Sequence, residues 1–123
     1  MTRLLAEKQD KSAVNLVDSP IPPDLITAGS PSPRIWIAAQ SPDLCVTQGL
    51  WDCTAGTYTW EYGWEEFFMV LEGEVSITCD NGQILNLQEG DFAHLPIGLK
   101  TEWHVPNYVR KTFVIRSLEP LKF

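Results

Sequence analysis

Residues 66–98 read EFFMVLEGEVSITCDNGQILNLQEGDFAHLPIG and carry the clearest structural pattern in the chain. Short runs of Val, Ile, Leu and aromatic residues alternate with glycines, one Asn-Gly pair and one Pro-Ile-Gly turn. Branched and aromatic residues favour a pleated, half-buried surface. Asn81-Gly82 lies between two such runs and predicts a β-hairpin, because both residues tolerate a positive φ. The stretch therefore predicts antiparallel strands joined by tight turns.

The same texture extends from Arg34 to Arg116, and no segment there keeps a helical period for three turns. The apolar runs predict nine short strands, namely Arg34–Ala39, Cys45–Asp52, Thr57–Glu61, Glu66–Leu71, Glu74–Cys79, Gln83–Leu87, Asp91–Leu95, Lys100–Val105 and Tyr108–Arg116. Gly73, Gly82, Gly90 and Gly98 are expected to be turn residues between them. Strands this short and closely spaced predict an all-β sandwich or barrel formed by residues 34–123.

The N-terminal part of the chain has a different composition. Residues 19–33 contain five prolines, and each proline removes a backbone donor and restricts φ. This segment is expected to be an extended arm or irregular cover, not a helix. Residues 1–33 are therefore assigned to an N-terminal arm, with a short helix left as an option at residues 4–10.

The composition of the chain argues against several classes of protein and of binding partner. The 123 residues are 44% hydrophobic and 20% charged, which is typical of a globular protein and argues against disorder. Nine Lys and Arg against sixteen Asp and Glu leave a net charge of -7, which disfavours nucleic acid and acidic membrane surfaces as partners. No membrane-spanning run or secretory signal is found, and the three cysteines form no CxxC pair. A cytoplasmic protein with reduced thiols is expected.

Two spaced motifs resemble those of the cupin superfamily. Glu66 is followed by six residues and Gly73, and Gly90 is followed at family spacing by Pro96 and Gly98. The family patterns are G-x5-H-x-H-x3–4-E-x6-G and G-x5-P-x-G-x2-H-x3-N. The sequence is similar to the (S)-ureidoglycine aminohydrolase cupin domain family in five segments: residues 51–57 (WDCTAGT), 60–62 (WEY), 66–68 (EFF), 71–75 (LEGEV) and 110–113 (RKTF). The resemblance implies a jelly-roll β-barrel, also described as a double-stranded β-helix.

The residues that bind metal in that superfamily are largely replaced here. A three-residue gap before Glu66 places Trp60 and Tyr62 at the two histidine positions, and a four-residue gap supplies no histidine either. In the second motif, the histidine position falls on Thr101 and the later Asn position on Val105. One carboxylate does not hold a catalytic transition metal, since such sites use three or more protein ligands. No metal and no cofactor are therefore expected.

Strand alternation predicts a pocket. If Glu66 faces the barrel interior, residues two and four positions along its strand do so as well. The expected lining is aromatic with one carboxylate, and consists of Trp60, Tyr62, Glu66, Phe68, Thr101 and Trp103. Such a pocket suits a small organic ligand with an amine, a guanidinium or a flat ring. The alternative is an interaction or structural module whose barrel is plugged by these side chains.

Glu66 has two possible roles. Buried among aromatic rings, it is a candidate general acid or base, in an enzyme acting on a small ureido- or amidine-type compound that Tyr62 or Thr101 would orient. The enzymatic alternative rests on the family resemblance. The other role is a structural salt bridge with Lys111 or Arg110 on a neighbouring strand.

The two histidines lie outside the motif positions. His104 has the opposite parity to Thr101 and should face away from the pocket. A rearranged metal site of His94, Glu66 and either Tyr62 or Cys53 stays open as an alternative. Cys53 has no base or cation beside it in sequence, so it is expected to be a small buried side chain and not a nucleophile.

The resemblance also implies an assembly. In many cupins two jelly rolls pack together and exchange N-terminal strands, which would suit the proline-rich arm. A homodimer that binds a small organic ligand is therefore expected.

Overall fold

The computed structural model describes residues 4–123, and strands dominate its regular structure. Two short 3-10 turns, Lys11–Ala13 and Pro23–Leu25, lie in the N-terminal segment. The strands are β1 (Val17–Asp18), β2 (Ile26–Gly29), β3 (Arg34–Gln40), β4 (Val46–Glu61), β5 (Glu65–Cys79), β6 (Ile84–Gln88), β7 (Phe92–Leu95) and β8 (Lys100–Arg116). No helix among the described residues is long and apolar enough to cross a membrane.

All eight strands belong to one antiparallel sheet. Its order is β1-β3-β4-β8-β5-β6, with β2 also paired to β4 and β7 also paired to β5. Three strands of 15 to 17 residues, β4, β5 and β8, lie side by side with β8 in the middle. Register shifts at Thr54/Gly56, Val70/Glu72 and Gly73/Ser76 bend these strands. The sheet curls around a common interior, which confirms the predicted all-β jelly-roll class.

The prediction of nine short strands after residue 33 was wrong in its boundaries. Three pairs of predicted strands are continuous as β4, β5 and β8. Gly73 was expected in a turn, but it lies within β5 at a bulge with φ +77°. A Cβ at this position would lie 1.9 Å from the carbonyl oxygen of Tyr108. Glycine therefore allows β5 to bend against β8 without leaving the sheet.

The Asn81-Gly82 hairpin is confirmed. β5 and β6 pair up to Thr78 and Ile84, and Gly82 has φ +91° in the connection between them. The side-chain oxygen of Asn81 accepts a hydrogen bond from the backbone N–H of Gln83 at 2.9 Å. Local turn chemistry accounts for this connection.

The proline-rich segment packs on the barrel of its own chain. β1 pairs with β3, and β2 pairs with β4. Ile21 is buried, and a Cβ on Gly56 would lie 2.4 Å from the Pro31 ring. Residues 19–33 contain the turn Pro23–Leu25 and strand β2 but no α-helix, and residues 4–10 form no regular element. The segment therefore covers the barrel as an extended layer.

Candidate functional site

A cavity of about 160 Å³ lies inside the barrel, beneath the N-terminal segment. Its walls are mostly aromatic, with Trp51, Tyr58, Trp60, Tyr62, Trp64 and Trp103. Pro20, Ile21 and Pro33 of the N-terminal segment also line it, as do Ile35 of β3 and Phe113 and Ile115 of β8. Two charged side chains, Glu66 and Lys111, face the same space.

Strand alternation places the two charged residues. On β5, Glu66 is buried while the preceding and following residues are more exposed, as a period of two requires. On β8, Lys111 occupies a buried position between Val109 and Phe113, which are buried as well. The register of β5 and β8 pairs Glu66 with Ile115 and Val70 with Lys111. The two long side chains therefore start four residue pairs apart on adjacent strands and meet over the cavity.

Glu66 and Lys111 form a buried ion pair. Lys111 Nζ donates to Glu66 Oε2 at 2.6 Å, and only 7% and 6% of the two side chains is exposed. The Tyr62 hydroxyl donates to the other carboxylate oxygen, Oε1, at 3.0 Å. Both oxygens of Glu66 thus accept hydrogen bonds from the protein. Of the two roles open for Glu66, the structure shows the salt bridge and selects Lys111 as its partner.

Lys111 also lies within an aromatic cage. Its Nζ is 4.4 Å from the ring centroid of Trp51, 4.6 Å from that of Phe68 and 4.5 Å from that of Trp103. Cations at these distances are attracted by the negative faces of aromatic rings. Burial lowers the pKa of Lys111, and the charge and hydrogen bond of Glu66 oppose that change. The cage and the carboxylate together stabilise a cation in the barrel interior.

Two hydrogen-bond donors, the Tyr62 hydroxyl and the Trp103 indole N–H, lie near the Glu66–Lys111 pair, and only the first is bonded. Burial raises the pKa of Tyr62 well above its usual value, the nearby carboxylate adds to this, and the Trp103 indole opposes it. Trp103 lines the same cavity and is only 1% exposed, but its indole N–H forms no hydrogen bond of normal geometry with any described residue. The cavity wall therefore contains one phenol that donates a hydrogen bond and one indole N–H that does not.

Of the six predicted pocket residues, four line the cavity and two do not. Trp60, Tyr62, Glu66 and Trp103 line the cavity together. Phe68 lies behind them, with its ring under the Lys111 ammonium. Thr101 is buried, but its hydroxyl donates to the Trp60 carbonyl at 2.8 Å, and it lines a shallow groove on another part of the barrel.

Sequence reasoning did not place Lys111, Trp51, Tyr58 or Trp64 at the cavity. A signal for Lys111 was available, since it alternates with Val109, Phe113 and Ile115 on what reads as a buried strand face. A lysine at such a position needs a partner for its charge. Tyr58 has the parity of Trp60 on β4, so alternation could have found it. Trp51 lies before the register shift at Thr54/Gly56, and Trp64 lies beyond the end of β4, so alternation from Trp60 does not reach them.

The side chains around Glu66 do not fit a transition metal. The Lys111 ammonium already occupies Oε2, and among residues 4–123 no three His, Cys, Asp or Glu side chains come together. His94 lies on the opposite sheet face, where Nε2 is 2.7 Å from Glu65 Oε2 and the ring stacks on Phe67. The rearranged site with His94 and Glu66 is therefore not assembled.

The remaining candidates have structural surroundings. His104 is exposed, as its parity predicts, and its Nδ1 is 2.8 Å from the Thr57 hydroxyl. Cys53 is fully buried, and burial, with a smaller effect of the neighbouring Asp52 charge, raises the pKa of its thiol to about 11. A thiol with that pKa carries little thiolate at neutral pH, so Cys53 is not an activated nucleophile.

A second polar cluster lies on the outer face of the sheet. Asp52 accepts from Arg34 Nε at 3.0 Å and from the Tyr108 hydroxyl at 2.8 Å, and it is 1% exposed. Burial raises the pKa of Asp52, but hydrogen bonds from Arg34 and Tyr108 and the charge of Arg34 outweigh it and lower the pKa overall. This cluster ties β3, β4 and β8 together and does not open into the cavity.

Comparison with solved structures shows the same fold in three bacterial proteins. A protein of unknown function from Pseudomonas syringae pv. tomato is 24% identical, with a TM-score of 0.76 over 83% of this chain and 44% of that chain. The EutQ protein of Clostridium difficile is 23% identical, with a TM-score of 0.64 over 72% and 70%. A structure from Salmonella typhimurium LT2 assigned as ethanolamine utilization protein Q is 23% identical, with a TM-score of 0.62 over 69% of both chains. At these identities the likeness shows the fold alone.

Family membership rests on the sequence. No curated protein matches the chain. The model of the EutQ-like cupin domain matches residues 40–113, more than half of the chain and the part that contains both cupin motifs and the Glu66–Lys111 pair. The chain therefore belongs to the EutQ-like cupin domain family.

Proposed function

We propose that this cupin binds a small organic molecule in the cavity around Glu66, without a transition metal. The carrying observation is the cavity of about 160 Å³ with a buried ion pair in its wall. An apolar cavity of about 150 Å³ is large enough to hold benzene. The space therefore suits a compact molecule of about six to ten non-hydrogen atoms.

The cavity counts against the structural alternative. A barrel plugged by side chains packs its interior at the density of an organic crystal and leaves few voids larger than a water molecule. Here aromatic rings line a space and do not fill it. Leaving such a space reduces stability, which is typical of a binding site and not of a purely structural module.

The enzymatic alternative has weaker support. Both oxygens of Glu66 accept hydrogen bonds from Lys111 and Tyr62, so its role in the free protein is to hold these two groups. Proton transfer by Glu66 would first require a ligand to displace one of them. We therefore keep binding as the proposed function, with chemistry on a bound ureido or amidine compound as its alternative.

The test is a thermal-shift screen of the full chain with small carboxylates, amides, amines and ureido compounds. A ligand at ten times its Kd stabilises the folded state by about 1.4 kcal/mol, or roughly 5 °C in Tm. Ile35→Phe adds a ring at the cavity wall and should abolish the shift. Ile84→Phe makes the same change at an exposed position and should preserve it. A screen without hits, or hits that survive Ile35→Phe, would contradict the proposal.

The proposal includes a homodimer in the cytoplasm. Exchange of the N-terminal segments would form the β1–β3 and β2–β4 pairings between two chains instead of within one. All three cysteines are free thiols, which suits a reducing compartment. Light scattering of the purified chain tests the assembly, and a monomer at micromolar concentration would contradict it.

A further inference from the structure

We infer that the ligand of this cavity is a hydrogen-bond acceptor: a small flat molecule, neutral or anionic, whose carbonyl or carboxylate oxygen is bound by the Trp103 indole N–H and the Lys111 ammonium. This inference rests on the proposed function, because it assigns the ligand class of the same cavity. It revises the expectation of an amine or guanidinium ligand.

The carboxylate in the cavity wall is already engaged. Glu66 Oε2 accepts from Lys111 at 2.6 Å, and Oε1 accepts from Tyr62 at 3.0 Å. The Tyr62 proton is used in that bond. An incoming amine or guanidinium would therefore have to compete with an internal cation that is already in place.

Three of the aromatic faces that could bind a cation are also occupied. The faces of Trp51, Phe68 and Trp103 each lie within 4.6 Å of Lys111 Nζ. A second cation beside these rings would meet the Lys111 charge at short range in a site of low dielectric constant. The same arrangement that would attract a cationic ligand in an empty aromatic box therefore repels one here.

The donors of the cavity wall are not all used. The Trp103 N–H forms no hydrogen bond of normal geometry with any described residue, and Trp103 is 1% exposed. Buried donors are almost always paired in folded proteins, because an unpaired one keeps its full desolvation cost. Lys111 has three protons, of which one is directed to Glu66. The unpaired indole donor beside a caged ammonium is complementary to an oxygen atom that brings lone pairs.

The walls set the shape of the ligand. Trp51 and Trp103 meet edge to face with centroids 5.6 Å apart, and Tyr58 is stacked on Trp103 at 6.1 Å. Flat aromatic surfaces around a space of about 160 Å³ favour a planar molecule that contacts them over both faces. A planar ring or conjugated chain that carries one carbonyl or carboxylate group meets these requirements.

Three probes of nearly identical shape test the inference on the full chain: benzoate, benzamide and benzamidine. They present an anionic acceptor, a neutral acceptor and a cationic donor on the same ring. We expect benzoate or benzamide to bind at least about tenfold more tightly than benzamidine in calorimetric titrations. In 15N spectra the Trp103 indole N–H signal, assigned with Trp103→Phe, should move downfield on binding of the acceptor.

Each outcome has a defined meaning. Tighter binding of benzamidine, or equal binding of all three without movement of the Trp103 signal, overturns the inference and leaves the proposed function standing. If none of the three binds at millimolar concentration, the inference is overturned, and the thermal-shift screen then decides the proposed function. The Ile35→Phe and Ile84→Phe pair assigns any binding to the cavity. The Trp103 signal in the native chain keeps the test decisive even if Trp103→Phe folds poorly.

Discussion

Replacing Lys111 by methionine should strongly destabilise the fold. Methionine keeps a flexible, unbranched side chain inside the aromatic cage, so the main loss is the ammonium. Glu66 then stays buried, with the Tyr62 hydroxyl as its remaining donor in the described structure. Removing one partner of a buried pair leaves the other charge uncompensated, which costs about 3–5 kcal/mol. The side chains are 7% and 6% exposed, so solvent cannot take over the role of the missing partner.

Removing the charge of Glu66 instead of that of Lys111 should reduce the free energy of unfolding by less. Glu66→Gln keeps an oxygen that can accept from Tyr62 and leaves Lys111 among three rings, each worth about 0.5–2 kcal/mol to a desolvated cation. Lys111 can also lose its proton, since burial already lowers its pKa. We therefore expect a loss of about 1–3 kcal/mol for Glu66→Gln, smaller than for Lys111→Met.

The stability of the Glu66→Gln variant should depend on pH. In Glu66→Gln the lysine in the folded state binds its proton more weakly than in the unfolded state, because burial lowers its pKa. The stability of that variant should therefore increase as the pH rises.

The assay is urea unfolding followed by tryptophan fluorescence, with the m-value checked for each variant. The double variant completes a cycle, and its loss should be smaller than the sum of the single losses by about 2 kcal/mol. Lys100→Met, at an exposed position of β8, is the matched control and should stay within about 0.5 kcal/mol of the native chain. A loss below about 1 kcal/mol for Lys111→Met, or additive single losses, would show that the pair does not stabilise the barrel as described.

Three further changes test other parts of the structure. Gly73→Ala should cost at least about 3 kcal/mol in urea unfolding, since φ is +77° and the new Cβ meets a carbonyl oxygen at 1.9 Å. The control Gly82→Ala, at a position with a positive φ but open space, should cost about 1 kcal/mol. Asp52→Asn should destabilise the chain at pH 6 and much less at pH 3, because the pKa of Asp52 is lowered in the folded state and its contribution is lost as acid protonates it; a constant difference would contradict this. Alkylation at pH 8, followed by mass spectrometry, should modify half-buried Cys45 before Cys53, whose thiol has a pKa of about 11; early labelling of Cys53 would exclude the burial described.

Features set by neighbouring residues could be predicted from the sequence. The Asn81-Gly82 turn depends on the backbone preferences of two adjacent residues, and the hairpin forms where they occur. The inward direction of Glu66, Phe68 and Val70 follows from the period of two along one strand, and all three are buried. These inferences needed no knowledge of which strand lies beside which.

The strand boundaries could not be predicted in this way. Gly56 and Gly73 resemble turn residues in the sequence, but they lie where long strands bend at bulges. A bulge and a turn use the same residue types, because both need a backbone that other residues avoid. Which of the two forms depends on whether hydrogen-bond partners are available on the neighbouring strand.

The candidate site shows the same difference between features set by neighbouring residues and features set by strand pairing. Sequence patterns predicted a carboxylate among aromatic rings, and left Lys111 and Arg110 as equal partners for Glu66. Alternation along β8 favours Lys111, but the contact of Glu66 with Lys111, 45 positions apart in the chain, depends on the pairing of β5 with β8. Whether the rings plug the barrel or enclose a cavity depends on the packing of several strands at once. Local patterns determine which way a side chain points, whereas only the assembled sheet determines what it meets.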